Sequence, residues 1–324
     1  MNSTQTIPSV DLEDFLSGNA GRKAQFVETL GKAYEEIGFV ALKNHRLSDT
    51  LVNQLYSEVE AFFNLPEAVK MKYAIEGLAG QRGYTPFGQE HAKGRNTGDL
   101  KEFWHFGQYV EDKDPIQKEY PQNVAVAELE KFNSVGKEAY QTLERTGQDM
   151  LRALALYLGL DENYFDPHIK NGNSILRPIH YPPITGEPDD AVRAAEHEDI
   201  NLITLLMGAS ADGLQILNKQ KKWVAVTALP GQIIVNVGDM LQRLTNNKLR
   251  STTHRVVNPP REDWGKSRFS IPFFLHPRSD MPLNCLPECI DDENPKLYED
   301  ITAGEYLNER LKEIGLKKWA RKRN

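Results

Sequence analysis

Three side chains in the second half of the sequence have the chemistry of a transition-metal site. His197 and Asp199 are separated by one residue, and on an extended segment residues i and i+2 project from the same face. His254 follows Asp199 by 55 residues, a separation that allows a returning strand to lie beside the first one. Two imidazoles and one carboxylate on one face of an octahedral ion favour non-haem Fe(II), because three positions stay open for a co-substrate and O2. The pattern predicts an iron centre at these residues.

A second pair of side chains, 14 residues past His254, has the chemistry of a carboxylate anchor. Arg268 and Ser270 again share one face of an extended segment and present a guanidinium and a hydroxyl. The guanidinium is a rigid, permanently charged fork that matches a carboxylate. Tyr181 would supply another donor from a neighbouring strand. These residues suit a co-substrate whose far carboxylate is anchored while its near end chelates the metal.

The elements that must position these residues are short strands between about 174 and 277. Turn residues separate the apolar runs at 8–12-residue spacing, which is typical of a β-sandwich or barrel. The runs cover residues 174–177, 202–207, 214–217, 223–226 and 233–237. The pair Asn246-Asn247 lies between two such runs, and we interpret it as a hairpin turn.

Helical patterns flank this region on both sides. Apolar residues recur at helical spacing over 22–37, and Ser48 is the expected N-cap of a second helix. Pro66 is expected to open a further helical turn. Near the carboxyl end, Thr302 and Glu305 form a capping-box pattern ahead of the last helix.

A long helical pattern also covers residues 124–158. Gly136 and Gly147 weaken it, each by about 1 kcal/mol relative to alanine, so the pattern fits either one helix or two. Before it, residues 79–121 are broken up by glycine, proline and charge, and they predict loops with one strand at 102–107.

The sequence predicts a single domain, residues 1–324, of the α+β class with an antiparallel β core flanked by α-helices. We see no internal repeat and no linker that divides the chain. The expected parts are a helical amino-terminal region at about 1–122, a long helix at 123–160, the β core with the metal site at 174–280 and a carboxy-terminal helix at 300–324.

Composition restricts the class of partner. Lys and Arg total 39 against 46 Asp and Glu, and this net charge of −7 argues against nucleic acid or an anionic membrane as the main partner. The two cysteines are too few for a disulfide scaffold. Neither a signal peptide nor an apolar run of about 18 residues is visible. We therefore expect a cytoplasmic protein, a monomer or weak homo-oligomer, that acts on a small molecule.

As a set, these segments resemble the isopenicillin N synthase-like branch of the Fe(II)/2-oxoglutarate-dependent oxygenases. The resemblance spans roughly residues 7–280, keeps the order of motifs in that family, and is highly specific as a set. The matching stretches are Ile7-Pro8-Ser9-Val10-Asp11-Leu12, Gly38-Phe39, Asn44-His45, Tyr181-Pro182-Pro183, His197-x-Asp199, Gly213-Leu214-Gln215, Pro230-Gly231, Asn236-Val237-Gly238-Asp239, His254-Arg255-Val256 and Arg268-x-Ser270-Ile271-Pro272-Phe273-Phe274.

The resemblance implies a double-stranded β-helix (jelly-roll) core in which His197, Asp199 and His254 bind Fe(II). It also implies that Arg268, Ser270 and Tyr181 bind the 2-oxoglutarate carboxylate remote from the metal. The implied reaction consumes O2, decarboxylates 2-oxoglutarate to succinate and CO2, and usually hydroxylates an unactivated C–H bond.

Two positions depart from the family pattern. Many plant members have Asn where this chain has Ile179, and Thr is common where it has Glu198.

Substrate residues are predicted least sharply. Tyr84, His105 and Phe106 are the candidates for substrate contact, with core packing as the alternative. Two other functions stay open at this stage. One is an iron-dependent oxidase or cyclase that uses O2 without 2-oxoglutarate, and the other is a non-catalytic jelly-roll binding or sensor module. Whether the product is hydroxylated, desaturated or cyclised is also open.

Overall fold

The structure is a computed structural model that describes residues 7–78, 80–90, 98–111, 114–188, 191–207, 213–226 and 229–313. The helices of the described residues are α1 (Leu12–Leu16), α2 (Ala20–Glu36), α3 (Asp49–Phe63), α4 (Glu67–Lys70), α5 (Glu130–Tyr157), α6 (Asp166–Ile169), α7 (Asp239–Leu244) and α8 (Ala303–Glu313). The strands are β1 (Ser9–Asp11), β2 (Phe39–Lys43), β3 (Gly83–Thr85), β4 (Glu102–Gly107), β5 (Ile175–Leu176), β6 (Ile179–Tyr181), β7 (Ala194–His197), β8 (Ile203–Met207), β9 (Leu214–Leu217), β10 (Trp223–Ala225), β11 (Ile233–Val237), β12 (His254–Val256) and β13 (Arg268–Leu275).

These strands form a large and a small sheet within the described part of the chain. The large sheet has the order β1-β2-β11-β8-β13-β5-β4-β3, and β6 pairs with both β13 and β4. The small sheet has the order β10-β9-β12-β7. All pairings are antiparallel except that of β1 with β2. This arrangement is the expected jelly-roll core, with helices packed against its large sheet.

The amino-terminal third contains strands between its helices. It contributes β1, β2, β3 and β4 to the large sheet, where β2 pairs with β11 and β4 pairs with β5 and β6. Their short apolar runs complete a sheet whose other strands lie far along the chain. The strand expected at 102–107 is confirmed as β4.

Helix α5 is continuous and supports the large sheet from its outer face. It contacts β13, β8, β5 and β4, and its inward side chains are fully buried. The two glycines do not interrupt it, because each lies where a neighbouring side chain packs against the helix. A Cβ on Gly136 would stand 2.3 Å from the Phe106 ring, and one on Gly147 would stand 2.3 Å from Leu275.

Local signals for helix ends are confirmed at two sites and need correction at two others. The Ser48 side chain accepts a hydrogen bond from Leu51 N, and Glu305 accepts from Thr302 in the expected capping box. Pro66 is the N-cap of α4 and not its first helical residue. Asn246-Asn247 is not a hairpin turn. The two residues follow the end of α7 and have φ values of 49° and 68°. Such positive φ values occur at helix ends as well as in hairpins.

None of the described helices combines the length and the apolar character needed to cross a bilayer.

Candidate metal and co-substrate site

The three predicted metal ligands meet at the edge of the small sheet. His197 ends β7, His254 begins β12, and the two residues are register partners. Asp199 lies in the turn that leads from β7 to β8. The Nε2 atoms of His197 and His254 are 3.8 and 3.6 Å from Asp199 Oδ1, and the three ligand atoms lie within 4.8 Å of one another.

Hydrogen bonds to the backbone orient both imidazoles. His197 Nδ1 is 2.7 Å from the carbonyl oxygen of Ala195, and His254 Nδ1 is 3.1 Å from that of Thr252. A carbonyl only accepts, so each Nδ1 carries a proton, and in the neutral ring Nε2 then holds the lone pair. The two lone pairs therefore face Asp199 in the tautomer that a metal requires.

The carboxylate of Asp199 is held from the opposite side by the large sheet. Its Oδ2 accepts hydrogen bonds from Thr204 Oγ1 at 2.7 Å and from Asn236 Nδ2 at 2.8 Å. Asn201 Nδ2 donates to the same threonine hydroxyl at 2.8 Å and so fixes its direction. Because Oδ2 is occupied in this way, Oδ1 is the oxygen that faces the histidines.

The protonation states of these residues near pH 7 favour metal binding. Burial raises the pKa of the Asp199 carboxyl, but His254, His197 and the two hydrogen bonds outweigh it, so the pKa is lowered. Desolvation inside the cavity, with a further contribution from His254, lowers the pKa of His197 to about 4. The carboxylate is therefore charged and His197 neutral near pH 7, as ligands must be. Two imidazole nitrogens and one carboxylate oxygen on one side of a point fit Fe(II).

The predicted carboxylate anchor lies on the large sheet, across the cavity from the small sheet. Arg268 and Tyr181 are register partners on β13 and β6, and the guanidinium carbon is 4.9 Å from the centre of the tyrosine ring. Ser270 follows on the same face of β13. All three side chains are buried, and all three line the cavity that contains the metal ligands. A permanently charged guanidinium in a closed cavity fits the far carboxylate of 2-oxoglutarate.

The cavity has a volume of about 890 Å³ and lies between the two sheets. Side chains from β8, β11 and β13 form one wall, and side chains from β7, β9 and β12 form the other. Several residues between Ala74 and Glu90 also border it, as do Leu307, Arg310 and Leu311 of α8. The space is large enough for a co-substrate and a second small molecule.

Comparison with known proteins agrees with this geometry. The family described as non-haem dioxygenase in morphine synthesis N-terminal matches residues 7–128, and the 2OG-Fe(II) oxygenase superfamily matches residues 163–277. A 2-oxoglutarate-Fe(II) type oxidoreductase of Aspergillus fumigatus is 30% identical over 323 residues, covering 96% of this chain and 94% of that protein. The chain belongs to the 2OG-Fe(II) oxygenase superfamily.

Solved structures give the same result for the fold. A 2OG-Fe(II) oxygenase family protein from Caulobacter crescentus has a TM-score of 0.86 to this oxygenase and is 41% identical, covering 97% of this chain and all of that one. A full-length Neurospora crassa protein, solved in complex with alpha-KG and thymine, has a TM-score of 0.82 and 29% identity, covering 94% and 96% of the two chains. The oxygenase is an Fe(II)- and 2-oxoglutarate-dependent dioxygenase that oxidises a small molecule with O2.

The three predicted substrate residues of the oxygenase have different positions. His105 lies on the cavity side of β4 and borders the cavity. Tyr84 also borders it, but its hydroxyl donates to Glu102, which ties it to the wall. Phe106 faces the other side of β4 and packs 5.0 Å from the Phe132 ring in the core. Adjacent strand residues alternate between faces, so His105 and Phe106 cannot both face the substrate, and the expectation for Phe106 is corrected.

The sequence analysis missed a charged cluster in the oxygenase cavity. Glu90 accepts from Lys101 at 2.8 Å and from Arg177 at 3.3 Å, and Lys101 also pairs with Asp99 at 2.8 Å. Arg177 Nε donates to His105 Nε2, which makes the ring an acceptor there. Burial and then Arg177 lower the pKa of His105 well below its usual range, so the ring is neutral.

Sequence signals existed for some of the missed residues. Thr204 and Asn236 are polar residues inside the otherwise apolar runs 202–207 and 233–237, a pattern that indicates a buried hydrogen-bonding role. The cluster around Glu90 had no such signal, since its members come from four separate segments.

The two departures from the family pattern have simple surroundings. Glu198 accepts a hydrogen bond from Thr253 Oγ1 at 3.1 Å, which links the strands that carry the two histidines. Ile179 is buried and is the register partner of Ser270.

Proposed function

We propose that this dioxygenase hydroxylates a small organic molecule at an unactivated C–H bond and that His197, Asp199 and His254 hold its Fe(II). The convergence of three ligand atoms within 4.8 Å carries this proposal. Hydrogen bonds fix the ligating edge of each imidazole and leave one oxygen of Asp199 for the metal. Such outer contacts orient ligands and strengthen metal binding.

Arg268, Ser270 and Tyr181 are proposed to bind the far carboxylate of 2-oxoglutarate. Arg268 is 1% exposed and borders the cavity, so its charge acts in a poorly solvated space, where a charge-assisted contact is strong. The hydroxyls of Ser270 and Tyr181 are placed to add donors. A relative named for 2-oxoglutarate and a solved relative in complex with alpha-KG favour this role over an oxidase or cyclase that does not use 2-oxoglutarate.

The chain contributes binding, orientation and exclusion of water to the reaction. Bound Fe(II) supplies the O2 chemistry that decarboxylates 2-oxoglutarate and oxidises the substrate. Arg268 would fix the far end of the co-substrate, and His197, Asp199 and His254 would hold the metal that supplies this chemistry. Buried side chains of the large sheet, Arg268 and Ser270 among them, keep water from the co-substrate end of the cavity. His105 and Tyr84 are proposed to border the bound substrate.

The domain organisation, partners and compartment are proposed from the sheet topology, the net charge and the state of the cysteines. Strands from residues 9–107 and 175–275 share one sheet, which supports a single domain. The net charge of −7 supports a protein that does not bind nucleic acid or anionic membranes, and we propose a monomer or weak homo-oligomer. The two cysteines are free and buried, which suits a reducing compartment such as the cytoplasm.

The decisive experiment measures succinate and O2 uptake together. Protein loaded anaerobically with Fe(II) is mixed with 2-oxoglutarate and a panel of small metabolites, and O2 is then admitted. We expect succinate and consumed O2 in equal amounts, and we expect Asp199→Ala to lose both while Asp280→Ala, at an exposed carboxylate, retains them. Iron-dependent O2 consumption without succinate would favour the oxidase instead. Failure to bind about one equivalent of iron would favour the non-catalytic module.

A further inference from the structure

Several arginines border the cavity, and three of them already have assigned roles. Arg177 is held by Glu90 at 3.3 Å and lies over the rings of Phe103 and Phe274, at 4.4 and 5.1 Å. Arg310 of α8 pairs with Asp239 at 3.4 Å and with Glu313 at 2.6 Å. Arg268 is assigned to 2-oxoglutarate. A fourth arginine, Arg82, lies in the segment before β3 and has none of these roles.

Arg82 has one hydrogen-bonded nitrogen and two that are not bonded within the described part of the chain. Its Nη1 donates to the carbonyl oxygen of Gln81 at 2.6 Å. Its Nε and Nη2 are buried and have no hydrogen-bond partner among the described residues. These two N–H groups form one edge of the guanidinium, the edge that binds both oxygens of a carboxylate. The whole side chain is only 1% exposed.

The surroundings of Arg82 make room for the guanidinium but do not neutralise it. It packs on Gly107, where a Cβ would stand 1.8 Å from the guanidinium carbon, so only glycine permits this position. Three nearby phenols would favour the positive charge of Arg82 if they were ionised, namely Tyr140, Tyr120 and Tyr109. Burial raises the pKa of Tyr120 to about 12 and raises the pKa of Tyr140 well above its usual value, so these phenols are neutral near pH 7.

Two acids that line the same cavity, Glu90 and Asp99, are already paired. Glu90 is bonded by Lys101 and Arg177, and Asp99 is bonded by Lys101. These four side chains carry two positive and two negative charges, so they balance. Arg82 therefore adds one positive charge that no described carboxylate offsets. A buried cation without a counter-ion is costly, and the cost is recovered when an anion binds.

We infer that the prime substrate carries a carboxylate and that the Nε–Nη2 edge of Arg82 binds it. The inference rests on the proposed function, because only the assignment of Arg268 to 2-oxoglutarate leaves Arg82 for a second acid. One guanidinium balances a single negative charge, which favours a monocarboxylate over a phosphate ester. The substrate class is thus a small organic acid, held at a point distinct from the co-substrate anchor.

The first test compares carboxylic acids with their neutral analogues. The protein is saturated with Fe(II) and 2-oxoglutarate, and hexanoate, phenylacetate and cyclohexanecarboxylate are each compared with the matching primary amide. Readouts are the shift in melting temperature without O2 and the stimulation of succinate formation with O2. We expect each acid to act at a concentration at least tenfold lower than that of its amide. Equal effects of acids and amides, or a preference for phenyl phosphate over phenylacetate, would overturn the inference.

The second test removes the charge. Arg82→Met is expected to abolish the distinction between acid and amide, whereas Arg82→Lys is expected to retain part of it. If Arg82 is kept to bind an anion, the ligand-free Arg82→Met protein should melt at the same temperature or higher, because an unbalanced buried charge is gone. If Arg82 has only a structural role, the ligand-free Arg82→Met protein should melt at a lower temperature than the wild type. A clear loss of stability with an unchanged preference for acids over amides would overturn the proposal.

A matched control and a check on the proposed function complete the design. Arg22→Met removes an exposed arginine of α2 and should leave every readout unchanged. The wild-type protein must also give a thermal shift with Fe(II) and 2-oxoglutarate alone. If that shift is absent, the proposed co-substrate role fails. If it is present but acids and amides act alike, only the inference about Arg82 fails.

Discussion

At the scale of single residues, the placement of the Asp199 carboxylate depends on side chains that never touch the metal. Thr204 and Asn236 bind one of its oxygens, and Asn201 directs the threonine hydroxyl. All of these residues are buried, so each lost hydrogen bond would leave a polar atom without water. The ligand is thereby fixed before the metal arrives.

Removing the threonine hydroxyl is therefore expected to weaken iron binding without removing a ligand. Thr204→Val keeps the shape of the side chain but removes one of the two hydrogen bonds to Asp199 Oδ2 and leaves Asn201 Nδ2 without this acceptor. We expect Fe(II) affinity to fall about 10- to 100-fold, measured by anaerobic titration. Thr146→Val, which removes a buried hydroxyl bonded only within α5, is the control. An unchanged affinity in Thr204→Val would contradict this role.

Loss of the anchor charge should act on the co-substrate alone. In Arg268→Ala, we expect the 2-oxoglutarate concentration for half-maximal succinate formation to rise at least tenfold, because a charge-assisted contact is worth about 1.5–3 kcal/mol. Fe(II) affinity should be retained. Arg278→Ala, which removes a partly exposed arginine paired with Asp280, is the control. A normal 2-oxoglutarate requirement in Arg268→Ala would show that the anchor lies elsewhere.

At the scale of elements, α5 shows why glycine occurs inside a long helix. The helix lies close to the large sheet, and Gly136 provides the space that the Phe106 ring fills. On helix propensity alone, alanine would be favoured by about 1 kcal/mol. The structure reverses this preference, since tertiary packing decides it.

Gly136→Ala is accordingly expected to destabilise the protein. The added Cβ would stand 2.3 Å from the Phe106 ring, and overpacking of this kind costs about 1–3 kcal/mol. Urea unfolding followed by circular dichroism measures the change. Ser134→Ala, at an exposed position of the same helix, should change stability by less than about 0.5 kcal/mol. A more stable Gly136→Ala protein would mean that the ring moves without cost.

Helix α5 also carries a carboxyl group that makes stability depend on pH. Burial raises the pKa of Glu144 to about 7, although Gln108 and Arg145 oppose the rise. The folded-state pKa of Glu144 exceeds its unfolded value of 4.5. The stability that its protonated form gives the folded state is therefore lost as pH rises from 4.5 through 7.

We therefore expect Glu144→Gln to raise the free energy of unfolding at pH 8.5 by about 1–3 kcal/mol. At pH 5 the change should be small, because the native carboxyl is then protonated. Denaturant unfolding at the two pH values measures the difference. Glu138→Gln, at an exposed position of α5, should show no such dependence on pH. An equal effect of Glu144→Gln at both pH values would contradict the shifted pKa.

At the scale of the whole molecule, the proposed metal ligands and the proposed co-substrate anchor lie on different sheets. The histidines belong to the small sheet, and Arg268 belongs to the large one. A co-substrate that chelates the metal and reaches Arg268 must span the cavity between them. Ligand binding should then stabilise the complete fold and not only the site.

Anaerobic thermal melts test this expectation. Fe(II) with 2-oxoglutarate at about 100 times its dissociation constant should add about 2.7 kcal/mol of stability, and EDTA should remove the gain. The gain should shrink as pH falls toward about 4, because His197, whose pKa is lowered to about 4, is then protonated and cannot bind metal. Mg(II) in place of Fe(II) serves as the control, since it prefers oxygen ligands. A melting temperature that EDTA leaves unchanged would contradict the metal site.

Features set by local sequence were predicted more accurately than features that depend on distant parts of the chain. The short runs from 174 to 277, the Ser48 cap and the Thr302 capping box were predicted correctly, because period and capping are local. Asn246-Asn247 was wrong, because positive φ serves helix ends and hairpins alike. Phe106 was misplaced because alternation along β4 gives two faces without saying which one borders the cavity.

The sequence by itself determined the types and local spacing of the chemical groups. A histidine and an aspartate on one face, a guanidinium and a hydroxyl on another, and motifs in a familiar order were enough to predict an iron centre and its co-substrate. Only the tertiary structure decided which oxygen of Asp199 is free and that Glu90 is paired while Arg82 has no counter-charge. Those facts depend on contacts between distant segments, where burial removes water and each polar group must find its partner in space.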